Sequence, residues 1–330
     1  MSRAALHGLV ACVLSATTVF AADLRPTGDA TILPANANLE LLWNDGEFTE
    51  GVAVAKDGQV YFSDIAIMAK NPGRIMKFDP RTKRTSVYVA DSGQSNGLFF
   101  TADGRLLAVC GANVGLRALC EVTPDRAMHV LVDKFSGKRF NSPNDIAVHP
   151  RGWVYFSDPR YVGDEPLELK QQAVYRVDPD GSLHQATTNQ LSRPNGVIVS
   201  PGGEFLYVAE SGGSDSRRPR YALFAFPVND NGTLGPQKLL IDFGDEMGID
   251  GMTVDVKGHI YAAVRKPSRH GIIIYTHLGV EIAYIPTEPL PTNCTFGVGD
   301  EAQTLYVTAG AGLYRIPLNI PGYHPELLEK

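Results

Sequence analysis

The chain has 330 residues and a formal net charge of -6, and 44% of its residues are hydrophobic. This length suits one large domain or two small ones, and the apolar content is sufficient for a sizeable core. The acidic balance and the lack of a basic stripe argue against a nucleic acid as a partner.

The first 21 residues have the composition of a secretory signal peptide. Arg3 gives a positive start, residues 4–20 are apolar, and Val19-Phe20-Ala21 fits the small-x-small cleavage rule, so the mature chain is expected to begin at Ala22. Cys12 ends a sequence that also resembles a lipoprotein box, but it leaves a very short apolar region before the cysteine. Nothing later is apolar enough to span a membrane. The sequence therefore predicts an exported protein, periplasmic or secreted, without a membrane span.

One sequence pattern repeats after a Pro- and Ala-rich segment, residues 22–37, which is predicted to be a linker or a poorly ordered arm. A polar residue, usually followed by Gly, leads an alternating apolar run, and a turn and a second run rich in Tyr and Val follow. These lead residues are Glu50, Asn96, Asn144, Asn195, Asp250 and, more loosely, the pair Asn293-Cys294. With Cys294 as the sixth, the steps are 46, 48, 51, 55 and 44 residues. A period of this length is typical of a propeller or another repeat array.

Each repeat is predicted to form four antiparallel strands. In the first, Val52 and Val54 alternate with small residues, Asp57-Gly58 turns the chain, and Val60 begins the returning strand, which is a strong hairpin signal. The sixth repeat has only three clear strands, so residues 39–43 are expected to supply its fourth strand and close the ring. No segment shows a sustained 3.6-residue period. The prediction is an all-β fold, a single six-bladed β-propeller over residues 38–330 that is closed by the N-terminal strand.

The lead residues predict a metal site. The first strand of each blade lines the central channel of a propeller, so side chains that are far apart in sequence converge at one mouth. Glu50 and Asp250 offer carboxylates, and Asn144 and Asn195 offer amide oxygens, which are hard donors suited to a divalent cation such as calcium. Asn-Gly and Asp-Gly are also ordinary turn dipeptides, and a single one is more often a turn than a ligand. Polar lead residues in five equivalent places favour metal binding.

Five motifs, in this order, form a specific set. They are Glu50-Gly51, Asn141-Ser142-Pro143-Asn144-Asp145 followed by Tyr155-Phe156-Ser157-Asp158, Arg193-Pro194-Asn195-Gly196, Asp250-Gly251-Met252 and Asn293-Cys294-Thr295-Phe296-Gly297. With this set the chain resembles the gluconolactonase/regucalcin (senescence-marker-protein) family over about residues 39–316, and the bacterial gluconolactonase branch is the closer likeness. The resemblance implies a six-bladed propeller with a divalent metal in its channel, and hydrolysis of sugar lactones or related esters.

The resemblance also implies roles for individual residues. Glu50, Asn195 and Asp250 match the core metal ligands, and Asn144 matches a position that is a ligand or a substrate contact, depending on the member. Asp250 also matches the carboxylate proposed as general base or nucleophile. Asp145 would orient one of the ligands. The expected cation is calcium, with Zn²⁺, Mg²⁺ or Mn²⁺ as alternatives, and it would polarise the lactone carbonyl.

The remaining expectations concern the substrate. Asn96 is expected to line the mouth and contact substrate hydroxyls. Ser142 departs from the regucalcin branch, whose members carry Arg two residues before the equivalent of Asn144. The sequence thus predicts a metal-dependent lactonase acting on a small-molecule lactone or ester. The alternatives are an arylesterase or phosphotriesterase at the same site, and a non-catalytic ligand-binding propeller with a structural calcium.

Overall fold

The structure is a computed structural model that describes residues 24–68, 71–188, 190–212 and 220–325. The predicted signal peptide, residues 1–21, lies outside the described residues, so export stays a prediction. Within the described ranges, no helix is long and apolar enough to cross a membrane. The regular secondary structure of the described residues is β-strand, apart from one short 3-10 helix at Gly299–Glu301.

The described residues form 27 strands. In chain order these are β1 (Thr27–Gly28), β2 (Glu40–Trp43), β3 (Thr49–Val54), β4 (Val60–Asp64), β5 (Arg74–Asp79), β6 (Arg84–Val89), β7 (Ser95–Phe100), β8 (Leu106–Cys110), β9 (Ala118–Val122), β10 (Met128–Val132), β11 (Lys134–Phe135), β12 (Lys138–Arg139), β13 (Ile146–Val148), β14 (Val154–Asp158), β15 (Ala173–Val177), β16 (Leu183–Gln185), β17 (Pro194–Val199), β18 (Phe205–Ser211), β19 (Tyr221–Pro227), β20 (Lys238–Gly244), β21 (Ile249–Val254), β22 (Ile260–Val264), β23 (Gly271–Tyr275), β24 (Glu281–Pro286), β25 (Pro291–Phe296), β26 (Thr304–Ala309) and β27 (Gly312–Pro317).

Six antiparallel sheets form the blades of a β-propeller. Blades 1 to 4 are β3–β6, β7–β10, β13–β16 and β17–β20, and β11 and β12 form a separate hairpin between blades 2 and 3. Blade 5 consists of β21–β24 with β1 at its outer edge, and blade 6 consists of β25–β27 with β2 at its outer edge. The first strand of every blade contacts the first strand of the next, and β25 returns to β3. The prediction of an all-β, six-bladed propeller is confirmed.

The two ends of the chain close the ring in blade 6. Strand β2 pairs with β27, and Glu40 and Leu41 lie opposite Arg315 and Tyr314. An ion pair of 2.7 Å between Glu40 and Arg315 accompanies the backbone pairing. Closure by the N-terminal strand, as predicted from the missing fourth strand of the sixth repeat, removes an open sheet edge.

Residues 24–37 pack against the propeller, although the sequence suggests a linker or a poorly ordered arm. Strand β1 pairs with β24 as a fifth strand of blade 5. Ile32 is fully buried among apolar side chains of blades 5 and 6, and its carbonyl accepts a hydrogen bond of 2.9 Å from the Asn319 N–H. The sequence does not reveal this because Ile32 and Leu33 are two apolar residues in a Pro- and Ala-rich run, too few to show a periodicity.

The core is divided into layers between neighbouring blades. A tyrosine of the second strand lies in five of these layers, at positions Tyr61, Tyr155, Tyr207, Tyr261 and Tyr306, and each is at least 93% buried. Tyr155 illustrates the arrangement, since its ring packs on blade 4 and its hydroxyl donates to the Gly232 carbonyl at 2.7 Å. Such layers fix the distance and angle between blades, and hence the width of the central channel.

Replacing Ile32 by Ala tests whether the arm belongs to the core. The change removes buried methylene groups from a packed cluster, so we expect the free energy of unfolding to fall by about 2–5 kcal/mol. Leu41→Ala is the matched control, because Leu41 lies on the closing strand with 49% of its surface exposed. Urea-induced unfolding followed by tryptophan fluorescence measures both. Unchanged stability of Ile32→Ala would contradict the packed arm.

Candidate active site

Most of the lead residues lie at irregularities in the innermost strands. The pairing of the first and second strands shifts register after Glu50, around Asn96, around Asn195 and around Asp250. Asn144 lies just before β13 and outside the paired part of that strand. Its N–H donates to the Ser157 carbonyl at 2.9 Å. A bulge of this kind re-aims a side chain that would otherwise follow the alternation of the strand.

The glycine after a lead residue is required by the contact with the next blade. A Cβ on Gly196 would lie 2.2 Å from the Asp250 carbonyl oxygen. One on Gly51 would lie 1.7 Å from the Asn96 carbonyl oxygen, and the φ of Gly51 is +52°. Only glycine allows so close an approach of two backbones. The recurring dipeptide therefore marks strand-to-strand packing around the channel, not a hairpin turn.

Three of the predicted site residues meet at the floor of a cavity of about 390 Å³. The carboxylate of Asp250 accepts a hydrogen bond of 2.7 Å from Asn195 Nδ2 at one oxygen and another of 2.7 Å from Arg265 Nη1 at the other. Glu50 lines the same floor, and one of its oxygens accepts the Gly51 N–H at 2.9 Å. Asn195 Oδ1 is buried and has no hydrogen-bond partner among the described residues.

The floor carries two buried carboxylates against one guanidinium. Burial raises the pKa of Glu50 well above its usual range, and the neighbouring charge of Asp250 raises it further. Burial also raises the pKa of Asp250, while the ion pair with Arg265 and the bond from Asn195 oppose that rise. Excess negative charge in a buried site disfavours two ionised carboxylates unless further positive charge is present. The arrangement could therefore hold a cation between Glu50, Asn195 and Asp250.

Asn96 and Asn144 also line the cavity, and both are half-buried. Their backbones connect blades 1, 2 and 3. The Gly97 N–H donates to the Asn144 carbonyl at 2.8 Å, and Ser63 Oγ donates to the Asn96 carbonyl at 2.8 Å. The structure thus places the two amide side chains around the mouth, beside the floor residues.

Asp145 lies beneath the floor, in the narrow channel that leads to the opposite face. Its Oδ2 accepts the Val197 N–H at 2.9 Å, and burial raises the pKa of Asp145 to about 7. Val197 directly follows Asn195 and Gly196 in the same strand. Asp145 therefore holds the strand that presents Asn195, from the blade next to it.

Carboxylates of the second strands hold the backbone of the cavity wall, a repeated contact that was not assigned from the sequence. The carboxylate near the end of the second strand accepts the N–H groups of two consecutive residues just before the lead residue. The three cases are Asp64 with Glu47 and Phe48, Asp158 with Asn141 and Ser142, and Glu210 with Ser192 and Arg193, at 2.7–3.2 Å. The second member of each pair lies two positions before a lead residue and lines the cavity. The repeated Tyr-Phe-Ser-Asp phrase was the available signal for this capping role.

Arg265 and Tyr161 are two further residues of the cavity that were given no role from the sequence. Arg265 follows β22, donates its backbone N–H to the Gly248 carbonyl at 2.8 Å, and lies with its guanidinium 5.7 Å from the Phe48 ring. Tyr161 belongs to the long connection between β14 and β15, and the Arg193 guanidinium lies 5.5 Å from its ring. Each depends on a contact between separate blades or loops, so neither could be found from a repeating pattern.

The fold and the residues at the cavity floor define the class of protein. It is a six-bladed propeller with acid and amide side chains gathered at one mouth of its channel. The chain belongs to the SMP-30/Gluconolactonase/LRE-like family, whose model matches residues 48–311. It is 31% identical to a gluconolactonase of Zymomonas mobilis, over 86% of this chain and 82% of the relative. It is 28% identical to a pentonolactonase of Haloferax volcanii, over 77% and 78%. The solved structure of a gluconolactonase from Xanthomonas campestris superposes with a TM-score of 0.76 at 27% identity, over 89% and 94%. The predicted family membership is confirmed.

Gly196→Ala tests the contact that brings Asn195 to Asp250. The new Cβ would meet the Asp250 carbonyl oxygen at 2.2 Å, so blades 4 and 5 must separate, and we expect a loss of about 1–3 kcal/mol or more in stability. Gly235→Ala is the control, because the nearest atom to its Cβ is a Pro227 side-chain carbon at 3.3 Å. Urea-induced unfolding compares the two. Equal stability would show that the lead glycine is not needed for packing.

Proposed function

We propose that this protein is a lactone hydrolase that holds one divalent cation, calcium first, on Glu50, Asn195 and Asp250. Asn144 would serve as a further ligand or a substrate contact. The observation that carries the proposal is the meeting of two buried carboxylates and the unpartnered Asn195 Oδ1 at the floor of a cavity. The relatives named gluconolactonase and pentonolactonase make sugar lactones the first substrates to test.

The floor residues fit a hard cation. Asn195 Nδ2 is engaged by Asp250, so the opposite atom, Oδ1, is left as a buried acceptor that requires a positive or donating partner. The described residues contain no group of three or more His, Cys, Asp or Glu side chains placed as metal ligands. The donor set therefore consists of carboxylates together with amide oxygens, which suits calcium better than zinc.

Asp250 is the residue placed to act on the substrate. A cation held at the floor would supply Lewis-acid polarisation of the lactone carbonyl. Asn195 and Arg265 each bind one oxygen of Asp250 and so fix the plane of its carboxylate. As a general base, Asp250 takes a proton from the attacking water and returns it to the ring oxygen as the acyl C–O bond breaks, which gives a hydroxy acid. As a nucleophile, it attacks the carbonyl carbon itself, the acyl C–O bond of the ring breaks, and the ring oxygen takes a proton from water. The resulting hydroxide hydrolyses the mixed anhydride, which releases the hydroxy acid and restores the Asp250 carboxylate.

Arg265 has a positioning role in either route. Its guanidinium binds Asp250 at 2.7 Å and lies against Phe48, and its charge opposes the rise that burial causes in the pKa of Asp250. Asp250 is thereby favoured as a carboxylate in a site that burial would otherwise neutralise. This contact gives the site one fixed positive charge of its own.

Asp250→Asn tests the catalytic role. We expect the rate of acid release from D-glucono-1,5-lactone and from pentonolactones, measured with a pH indicator in CaCl₂, to fall by about 10²–10⁴-fold. Asp230→Asn is the control, since the Asp230 side chain is 99% exposed. A fully active Asp250→Asn protein would exclude this carboxylate as base or nucleophile. Turnover of aryl esters or phosphotriesters alone would favour the arylesterase or phosphotriesterase alternative. If the folded, calcium-loaded protein turned over none of these substrates, the non-catalytic ligand-binding propeller would be favoured.

Glu50→Gln tests the cation site without an activity assay. The amide cannot ionise, so the calcium-free variant escapes the cost of a buried carboxylate and should have a higher Tm than the parent in EGTA. The parent should gain Tm on adding CaCl₂, corresponding to about 2.7 kcal/mol at a hundredfold excess over Kd, and the variant should gain much less. Thermal unfolding of each protein in EGTA and in CaCl₂ gives the Tm without calcium and the gain in Tm with calcium. An equal calcium response in the two proteins would remove Glu50 from the ligand set.

A further inference from the structure

We propose that the substrate is a lactone that carries an apolar substituent, an alkyl chain, on the ring carbon next to the ring oxygen. The inference rests on the proposed lactone hydrolysis and narrows its substrate class. A plain sugar lactone is polar around its whole ring, whereas this cavity has one polar and one apolar side.

The cavity wall divides by blade. Blades 2, 3 and 4 supply the polar wall, in which Gln94, Asn96, Ser142, Asn144, Arg193 and Ser211 lie together with Gly111, Ala112, Tyr161, Val162 and Tyr221. Blades 1 and 5 supply an apolar wall on the other side of the floor, which consists of Phe48, Ile65, Ile67 and Met247. These four side chains are half-buried. A bound apolar group would complete their burial, and apolar lining with a few placed polar groups is the usual character of a small-molecule site.

The apolar wall lies next to the reacting groups. Arg265 bonds to Asp250 at 2.7 Å and lies 5.7 Å from the Phe48 ring, so one side chain separates the general base or nucleophile from the apolar wall. The backbone of Phe48 is held by Asp64, and Ile65 donates its N–H to the Phe48 carbonyl at 2.8 Å. The part of the apolar wall formed by Phe48 and Ile65 is therefore fixed by hydrogen bonds within blade 1, beside the place where a substituent close to the scissile ester bond would lie.

Part of the polar wall is already occupied by contacts within the protein. Gln94 Nε2 donates to the carbonyls of Ala66, Asn71 and Asn113 at 2.9–3.1 Å. Ser142 Oγ accepts the Ala112 N–H at 2.9 Å. These bonds fix loops around the mouth and leave Gln94 Oε1 buried without a hydrogen-bond partner among the described residues. The polar wall is therefore the side of the cavity that suits the ester head of a substrate, and the apolar wall is the side that suits an alkyl substituent.

The loops beside the cavity also expose apolar side chains. Met68 directly follows Ile67 and is 88% exposed, and Tyr161 and Val162, which line the mouth, are 41% and 39% exposed. The connection that carries them is held by Arg160, whose side chain donates to the carbonyls of Asn141, Gly163 and Glu165. Exposed apolar side chains at the mouth of a cavity are typical of a binding site. Met68 extends the apolar wall of blade 1 outward, in the direction that a longer chain would take, while Tyr161 and Val162 lie on the blade 3 side of the mouth.

A series of δ-lactones tests the inference. We would compare δ-valerolactone, δ-octalactone and δ-decalactone with D-glucono-1,5-lactone, in CaCl₂, and divide each kcat/KM by the hydroxide-catalysed rate of the same lactone. We expect kcat/KM to rise about two- to four-fold for each added methylene group that the apolar wall covers. If kcat/KM stays constant or falls with chain length while the unsubstituted or the sugar lactone is hydrolysed, the inference is overturned and the proposed function is left intact. No turnover of any lactone would contradict both.

Variants of the apolar wall locate the effect. Met247→Gln keeps the approximate size of the side chain, Ile67→Thr keeps the branch at Cβ, and both make the wall polar. We therefore expect the ratio of kcat/KM for δ-decalactone to that for δ-valerolactone to fall about five-fold or more. The ratio is independent of the fraction of folded enzyme, so a poorly folding variant still reports the preference for the longer chain. Leu167→Gln is the matched control, because Leu167 is 56% exposed and does not line the cavity. A ratio unchanged in both wall variants would contradict the assignment of the apolar wall.

Discussion

The approach of neighbouring inner strands at the lead residues is the contact on which the site depends. At Gly196 there is no room for a Cβ against the Asp250 carbonyl, and because the backbones are this close, Asn195 Nδ2 reaches the Asp250 carboxylate at 2.7 Å. Blade 3 solves the same problem differently. It has Asp145 where blades 1, 2, 4 and 5 have glycine, and the carboxylate of Asp145 accepts the Val197 N–H of the next blade. Packing between blades and the geometry of the site are thus one structural feature.

The close approach of the inner strands also buries charged groups at the floor, which costs stability. Two carboxylates, Glu50 and Asp250, are removed from water, which raises the pKa of both, and the charge of Asp250 raises the pKa of Glu50 further. Arg265, Asn195 and a backbone N–H offset part of that cost, but a buried acceptor on Asn195 is left over. Sites of this kind reduce the stability of the free protein and gain from a bound cation. The layers of tyrosine and aliphatic side chains between the blades supply the stability that such a floor requires.

The structure separates the chemistry of the site from its selectivity. Three of the lead residues, Glu50, Asn195 and Asp250, form the floor. The residues two positions before the lead residues line the wall: Phe48, Gln94, Ser142, Arg193 and Gly248 in blades 1 to 5. In three blades a carboxylate of the second strand holds the backbone at this point through two N–H groups. The side chain at the wall position takes no part in that bond. Its identity can therefore vary while the backbone under it is kept, which suits a fold whose members act on different substrates.

The repeating parts of this protein were determined by its sequence. Alternating apolar residues, turn dipeptides and recurring lead residues act over a few positions each, so blade number, ring closure through residues 39–43 and the gathering of Glu50, Asn195 and Asp250 were predictable. The packed arm, the ion pair of Arg265 with Asp250 and the division of the cavity into two walls were decided by the tertiary structure. Each of these depends on contacts that have no equivalent in the other blades, and a contact that occurs only once leaves no periodic pattern in the sequence.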